Sequence, residues 1–119
     1  MKNIIITAIV LTFLNASCAS FGKFTSTTYI KANDTFILGN NKHGAFSVKL
    51  KNVSSNDLEI WRAPITGGQH SPLTVKPDET VEVKVEKNTA LKIENKSNDK
   101  ATVKLLINGD TGLSMGYKN

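Results

Sequence analysis

The chain has 119 residues, 15 Lys and Arg against 10 Asp and Glu, a formal net charge of +5 and a single cysteine. That length supplies one domain core and not two, and one cysteine excludes an internal disulfide. Stability must come from packing and sheet hydrogen bonds, and the cation excess makes anionic surfaces the partner class to weigh.

The chain opens with Met1-Lys2-Asn3, an apolar run from Ile4 to Leu14, and Asn15-Ala16-Ser17-Cys18. A short cationic start, a hydrophobic stretch of about 7–15 residues and a small-residue exit describe a secretory signal peptide. The run is shorter than the roughly 20 residues a membrane span needs. Ala16-Ser17-Cys18 resembles the lipobox of bacterial lipoprotein precursors, in which a small residue precedes the cysteine that becomes the lipidated first residue. The resemblance implies a signal peptide over 1–17, palmitate-type acylation of Cys18 and, since neither Ala19 nor Ser20 is acidic, the outer membrane of the cell envelope. The alternative is ordinary cleavage before Ser20, which leaves a periplasmic or secreted protein. Residues 18–26, small and polar around Phe21 and Phe24, read as a tether, and 27–119 as the domain.

Through the domain the dominant signal is alternation with a period of two, the mark of half-buried strands. Strands are expected near Thr28 to Ala32 and Thr35 to Leu38, then at Phe46-Ser47-Val48-Lys49-Leu50-Lys51 and Leu58-Glu59-Ile60. Further strands follow near Ser71 to Val75, at Val81-Glu82-Val83-Lys84-Val85-Glu86, around Leu91 and Ile93, at Val103 to Ile107, and near Leu113 to Tyr117. Between them lie turn formers such as Gly39-Asn40-Asn41, Gly67-Gly68 and Pro77-Asp78. Asn108-Gly109 reads as a type I′ turn between two strands. No window has the spacing of an amphipathic helix. The reading is all-β, a single antiparallel β-sandwich of about 7–9 short strands. Residues 50–58 and 93–101 echo one another as strand, Asn-x-Ser, Asn-Asp, strand. Such turns resemble those of immunoglobulin-like sandwiches in exported bacterial proteins, which implies an immunoglobulin-like or similar architecture.

Chemistry-bearing motifs are scarce. His43 and His70 are the only histidines. They could recruit a carboxylate such as Asp34, and zinc catalysis takes three protein ligands around an open position, but histidines in exposed turns explain them better, so no metal site is expected. The one Gly-x-Ser-x-Gly, Gly112-Leu113-Ser114-Met115-Gly116, reads as the closing of the final strand, and Glu82 and Glu86 alternate with lysines like surface charge. The expectation is therefore no catalytic residue, no cofactor and no enzyme. The best binding candidate is Trp61-Arg62 with the loop 64–72, and within it Trp61, Arg62, Gln69 and His70. A tryptophan beside the one arginine can stack on a sugar or protein and hold an anion, although Trp61 could equally be a core residue with Arg62 over its edge. Lysine supplies nearly all the positive charge, so nucleic acid is not an expected partner. The sequence thus reads as a small non-enzymatic cell-envelope lipoprotein that acts by binding or structural association at the membrane surface. Its partners would be the membrane, through the lipid anchor, and a protein or glycan. The alternative is a soluble secreted or periplasmic sandwich that binds a small molecule or glycan near Trp61.

Overall fold

The computed structural model describes residues 21–119; the expected signal peptide over 1–17 and the acylation site Cys18 lie outside the described residues. Nine strands follow one another, β1 (Phe21–Ile30), β2 (Asp34–Leu38), β3 (Phe46–Asn52), β4 (Leu58–Pro64), β5 (His70–Val75), β6 (Thr80–Val85), β7 (Thr89–Asn95), β8 (Ala101–Asp110) and β9 (Met115–Tyr117). They form where alternation and β-branched residues place one face in a core and the other in water. β3 shows this directly: Phe46, Val48 and Leu50 are buried, while Lys49 and Lys51 are exposed. β1 begins at Phe21, so residues 21–26 of the expected tether are strand, paired with β8.

The strands make two antiparallel sheets, ordered β1-β8-β3-β6 and β5-β4-β7-β2-β9. Of the eight connections only β4 to β5 stays within one sheet; every other one crosses the sandwich. That order is a jelly roll. It corrects the immunoglobulin-like expectation, since an immunoglobulin sandwich keeps several consecutive strands side by side in one sheet. Alternation and turn chemistry locate strands but do not say which sheet a strand joins, because similar residues build a hairpin or a crossover. Between the sheets Val48, Leu50, Leu105 and Ile107 pack against Ile60, Leu91 and Ile93, all at most 2% exposed. Burying each such side chain contributes about 1.5–3 kcal/mol.

The internal echo is one corner used twice. Asn52 and Asn95 are both fully buried at the ends of β3 and β7, where the chain leaves one sheet for the other. Ser54 donates to Asn52 Oδ1 from both its N–H (2.9 Å) and its hydroxyl (2.6 Å), and Asn52 Nδ2 donates to the carbonyls of Asn56 and Val75. Ser97 treats Asn95 Oδ1 in the same way, and Asn95 Nδ2 donates to the carbonyls of Ile30, Lys31 and Asp99. A buried amide is tolerated only with such pairing, which is why the Asn-x-Ser spacing recurs.

Asn108-Gly109 is not the expected turn. β8 runs through it to Asp110, with Gly109 opposite Gly22 on β1 and Phe46 on β3. Glycine is needed there because its φ is +115° and a Cβ would lie 2.9 Å from the Ala45 carbonyl oxygen.

Candidate functional site

The two sheets meet unevenly at their edges. Along β1 and β9 the margin is closed, whereas along β5 and β6 it opens: five of the six residues of β5 are exposed, and Val81 and Val83 of β6 are only half-buried. Into this opening the end of β4 delivers Trp61 and Arg62. The inward phase of β4 runs Leu58, Ile60 and then Ala63, so it slips by one residue at an irregularity between Ile60 and Arg62 in the pairing with β5. Trp61 and Arg62 are both half-buried, and in the unbroken pairing with β7 Arg62 lies opposite the buried Leu91 and Trp61 opposite Lys92.

Arg62 forms a bar across the opening. Its Nη1 donates to the Lys84 carbonyl of β6 at 2.7 Å, and its Nη2 donates to Ser71 Oγ of β5 at 2.7 Å. Ser71 holds this position with a φ of +56°, an uncommon conformation for a non-glycine residue and one that concentrates at binding sites. On one side of the bar is a cavity of about 190 Å³, with Ile60, Leu73, Val83 and Leu91 as its apolar wall and Trp61, Ser71 and Glu82 at its rim. On the other side lies a shallower cleft of about 370 Å³ that runs past Phe46, Ser47 and Asn108, with Arg62 and Lys84 common to both. Two of the five guanidinium N–H groups are used in the bar, and the rest remain for a ligand.

The structure therefore brings Trp61 and Arg62 together and leaves Gln69 and His70 apart from the cavity wall. Both are exposed; His70 begins β5 opposite Arg62, and Gln69 sits in the preceding loop. Sequence reasoning did not find Leu73, Val83 or Lys84. Leu73, 45% exposed, is a lone large apolar side chain on a polar strand, a signal that could have marked it.

His43 lies elsewhere, in the β2–β3 loop. Its Nδ1 is 2.6 Å from the Gly44 carbonyl oxygen, its Nε2 2.9 Å from that of Thr89, and its ring packs edge-on to Phe46. Asp34 is occupied at Oδ1 by the N–H groups of Thr35 and Asn119. Among the described residues no three of His, Cys, Asp and Glu gather where they could hold a metal ion. Beside His43, Asp110 accepts from the N–H of Gly44 and of Gly112. Those two hydrogen bonds, with a smaller contribution from His43, hold its carboxyl below the ordinary value of 3.8.

Among solved structures the likeness is to cupin-fold proteins. The capsular polysaccharide assembling protein CapF from Staphylococcus aureus matches 75% of this chain with 20% identity and a TM-score of 0.56, and this chain spans about 25% of CapF. RmlC from Streptococcus suis, solved in complex with dTDP-D-xylose, matches 86% of this chain and 52% of its own, at 12% identity and a TM-score of 0.52. The cupin domain of an XRE-family transcriptional regulator from Enterobacter cloacae matches 76% of this chain and 84% of its own, at 16% identity and a TM-score of 0.51. No family model matches the chain, and no curated protein matches it. At these identities the likeness establishes the fold: a cupin-like jelly roll.

It also corrects the expectation that the chain is not an enzyme. The same fold carries CapF, solved with the inhibitor 3-isopropenyl-tropolone, and RmlC, solved with a nucleotide sugar. The expectation rested on finding no convincing catalytic setting in the linear sequence. A jelly roll assembles its site from strands distant in sequence, as Arg62, Ser71 and Lys84 do here, and such a site leaves no contiguous signature.

Proposed function

We propose that the chain is a cell-envelope lipoprotein, acylated on Cys18, whose jelly roll binds a small sugar-containing molecule in the groove barred by Arg62. The observation that carries the binding half is the braced guanidinium between two clefts, with Trp61 beside it and an apolar wall of Ile60, Leu73, Val83 and Leu91. A fixed arginine with unused donors suits a carboxylate or phosphate. An indole at the rim suits the apolar face of a sugar ring. Together they favour an acidic sugar or a sugar phosphate over a neutral one, and the nucleotide-sugar complex of RmlC, on the same fold, supports that class.

The binding test is a titration of uronic acids, sugar phosphates and their neutral counterparts, followed by the fluorescence of Trp61, the one tryptophan. Saturable quenching by the acidic members, lost in Arg62→Ala, is expected; equal response to neutral sugars, or none to any, overturns the reading. Mass spectrometry of the mature N-terminus tests the anchor. An acylated Cys18 is expected, and a free Ser20 favours the periplasmic or secreted alternative.

A further inference from the structure

The outward face of the four-stranded sheet segregates charge. Strand register sets three rows across β1, β8, β3 and β6: Lys23, Asn108, Ser47 and Lys84; then Thr25, Leu106, Lys49 and Glu82; then Thr27, Lys104, Lys51 and Thr80. Five lysines thus share one face with a single glutamate. The outer side of the five-stranded sheet is different, with Glu59 directly opposite Glu94, Lys92 next to it, and Lys96 tied to Glu59 at 2.8 Å.

The arrangement is costly for an empty face. Lys51 and Lys104 stand directly opposite one another, an arrangement that destabilises a sheet. Among the described residues neither side chain has an ion-pair or hydrogen-bond partner. With Lys49 they line a shallow depression of about 360 Å³ shared with Thr25, Thr27, Thr80 and the half-buried Leu106. Ammonium groups among threonine hydroxyls suit phosphate oxygens. One row further along the same face Tyr29 is 53% exposed, with Lys100 Nζ 5.0 Å from its ring centroid, an aromatic–cation pair suited to a membrane–water boundary.

We propose that this face docks on the anionic phospholipid headgroups of a bilayer, with Lys49, Lys51 and Lys104 taking the phosphates. Charge selects an anionic occupant. The choice of a bilayer rests on the anchored reading above: β1 begins three residues after Cys18, a reach of at most roughly 11 Å, so an acylated chain holds this sheet at the membrane. The domain then lies on its four-stranded sheet.

The test uses the mature chain with Cys18→Ser, which cannot be acylated, co-sedimented with phosphatidylglycerol–phosphatidylcholine vesicles and with phosphatidylcholine alone. Binding to the anionic vesicles only, weakening with salt, is expected. Combining Lys49→Gln, Lys51→Gln and Lys104→Gln weakens it about a hundredfold, at about fivefold per lysine near an anionic surface. A control combining Lys92→Gln, Lys96→Gln and Lys118→Gln removes the same charge from the five-stranded sheet and the end of β9 and costs less than tenfold. Equal binding to both vesicles, equal loss in both triple variants, or binding to a soluble anionic polysaccharide in preference to vesicles overturns the proposal. An unacylated native N-terminus would defeat the anchor and leave this measurement readable.

Discussion

The two long margins of the sandwich are built from matching parts and end differently. At the β1/β9 margin Asn95 pins the end of β1 through Ile30 and Lys31, Tyr117 donates its hydroxyl to the Tyr29 carbonyl at 2.8 Å, and Asn41 and Asp110 tie down the β8–β9 loop. At the β5/β6 margin Asn52 pins the end of β5 through Val75, but beyond it Arg62 laces the two edges and the loop before β5 is exposed. One margin is sewn shut and the other is held by one bar with space on both sides. The difference teaches where this sandwich leaves room: not at its twin corners, which are filled, but where the lacing side chain keeps donors to spare.

The largest expected effects come from the corners. Asn95→Ala leaves three carbonyls and two Ser97 donors without their partner, and should cost about 3 kcal/mol. Asn52→Ala, with two carbonyls affected, should cost about 2 kcal/mol. Urea unfolding of both variants checks the order, and the reverse order would break the pairing of corners with margins. Tyr117→Phe removes one hydrogen bond at the closed margin, with an expected loss of about 1 kcal/mol in the same assay.

Asp110 sharpens the comparison through pH. Its folded-state acidity is raised by the Gly44 and Gly112 hydrogen bonds, so its contribution is present above the ordinary value of 3.8 and is lost as pH falls below it. The urea midpoint should drop in that acid range, and Asp110→Asn should flatten this part of the profile. The smallest stability change belongs to Arg62→Ala at the open margin, about 0.5 kcal/mol for an exposed pair of hydrogen bonds, together with the loss of ligand quenching. A stability loss as large as that of Asn52→Ala would make Arg62 a structural clamp and remove the contrast between the margins.

Much of this was readable from residue order. Each of the nine strands overlaps an expected one, although β1 and β8 run past the expected bounds, and where one sheet face is buried, as along β3 and β6, a period of two marks it. Trp61 and Arg62 were legible as an aromatic–cation pair beside a glycine loop. Gln69 and His70 were grouped with them by proximity in sequence, and lie outside the cavity wall because the pleat and the irregularity after Ile60 decide direction. Lys84 and Val83 come from a strand about twenty positions later, and only the closure of two sheets brings them near.

Residue order by itself determined that the domain is all-β, where its strands run, and that Asn-x-Ser marks two equivalent bends, because these follow from local periodicity and from hydrogen bonds that close within a few residues. Tertiary structure alone decided that consecutive strands cross the sandwich, that five lysines share a face, and that Arg62 spans a gap. Those depend on which strands pair across long separations, a choice set by the packing of the whole core and written in no single segment.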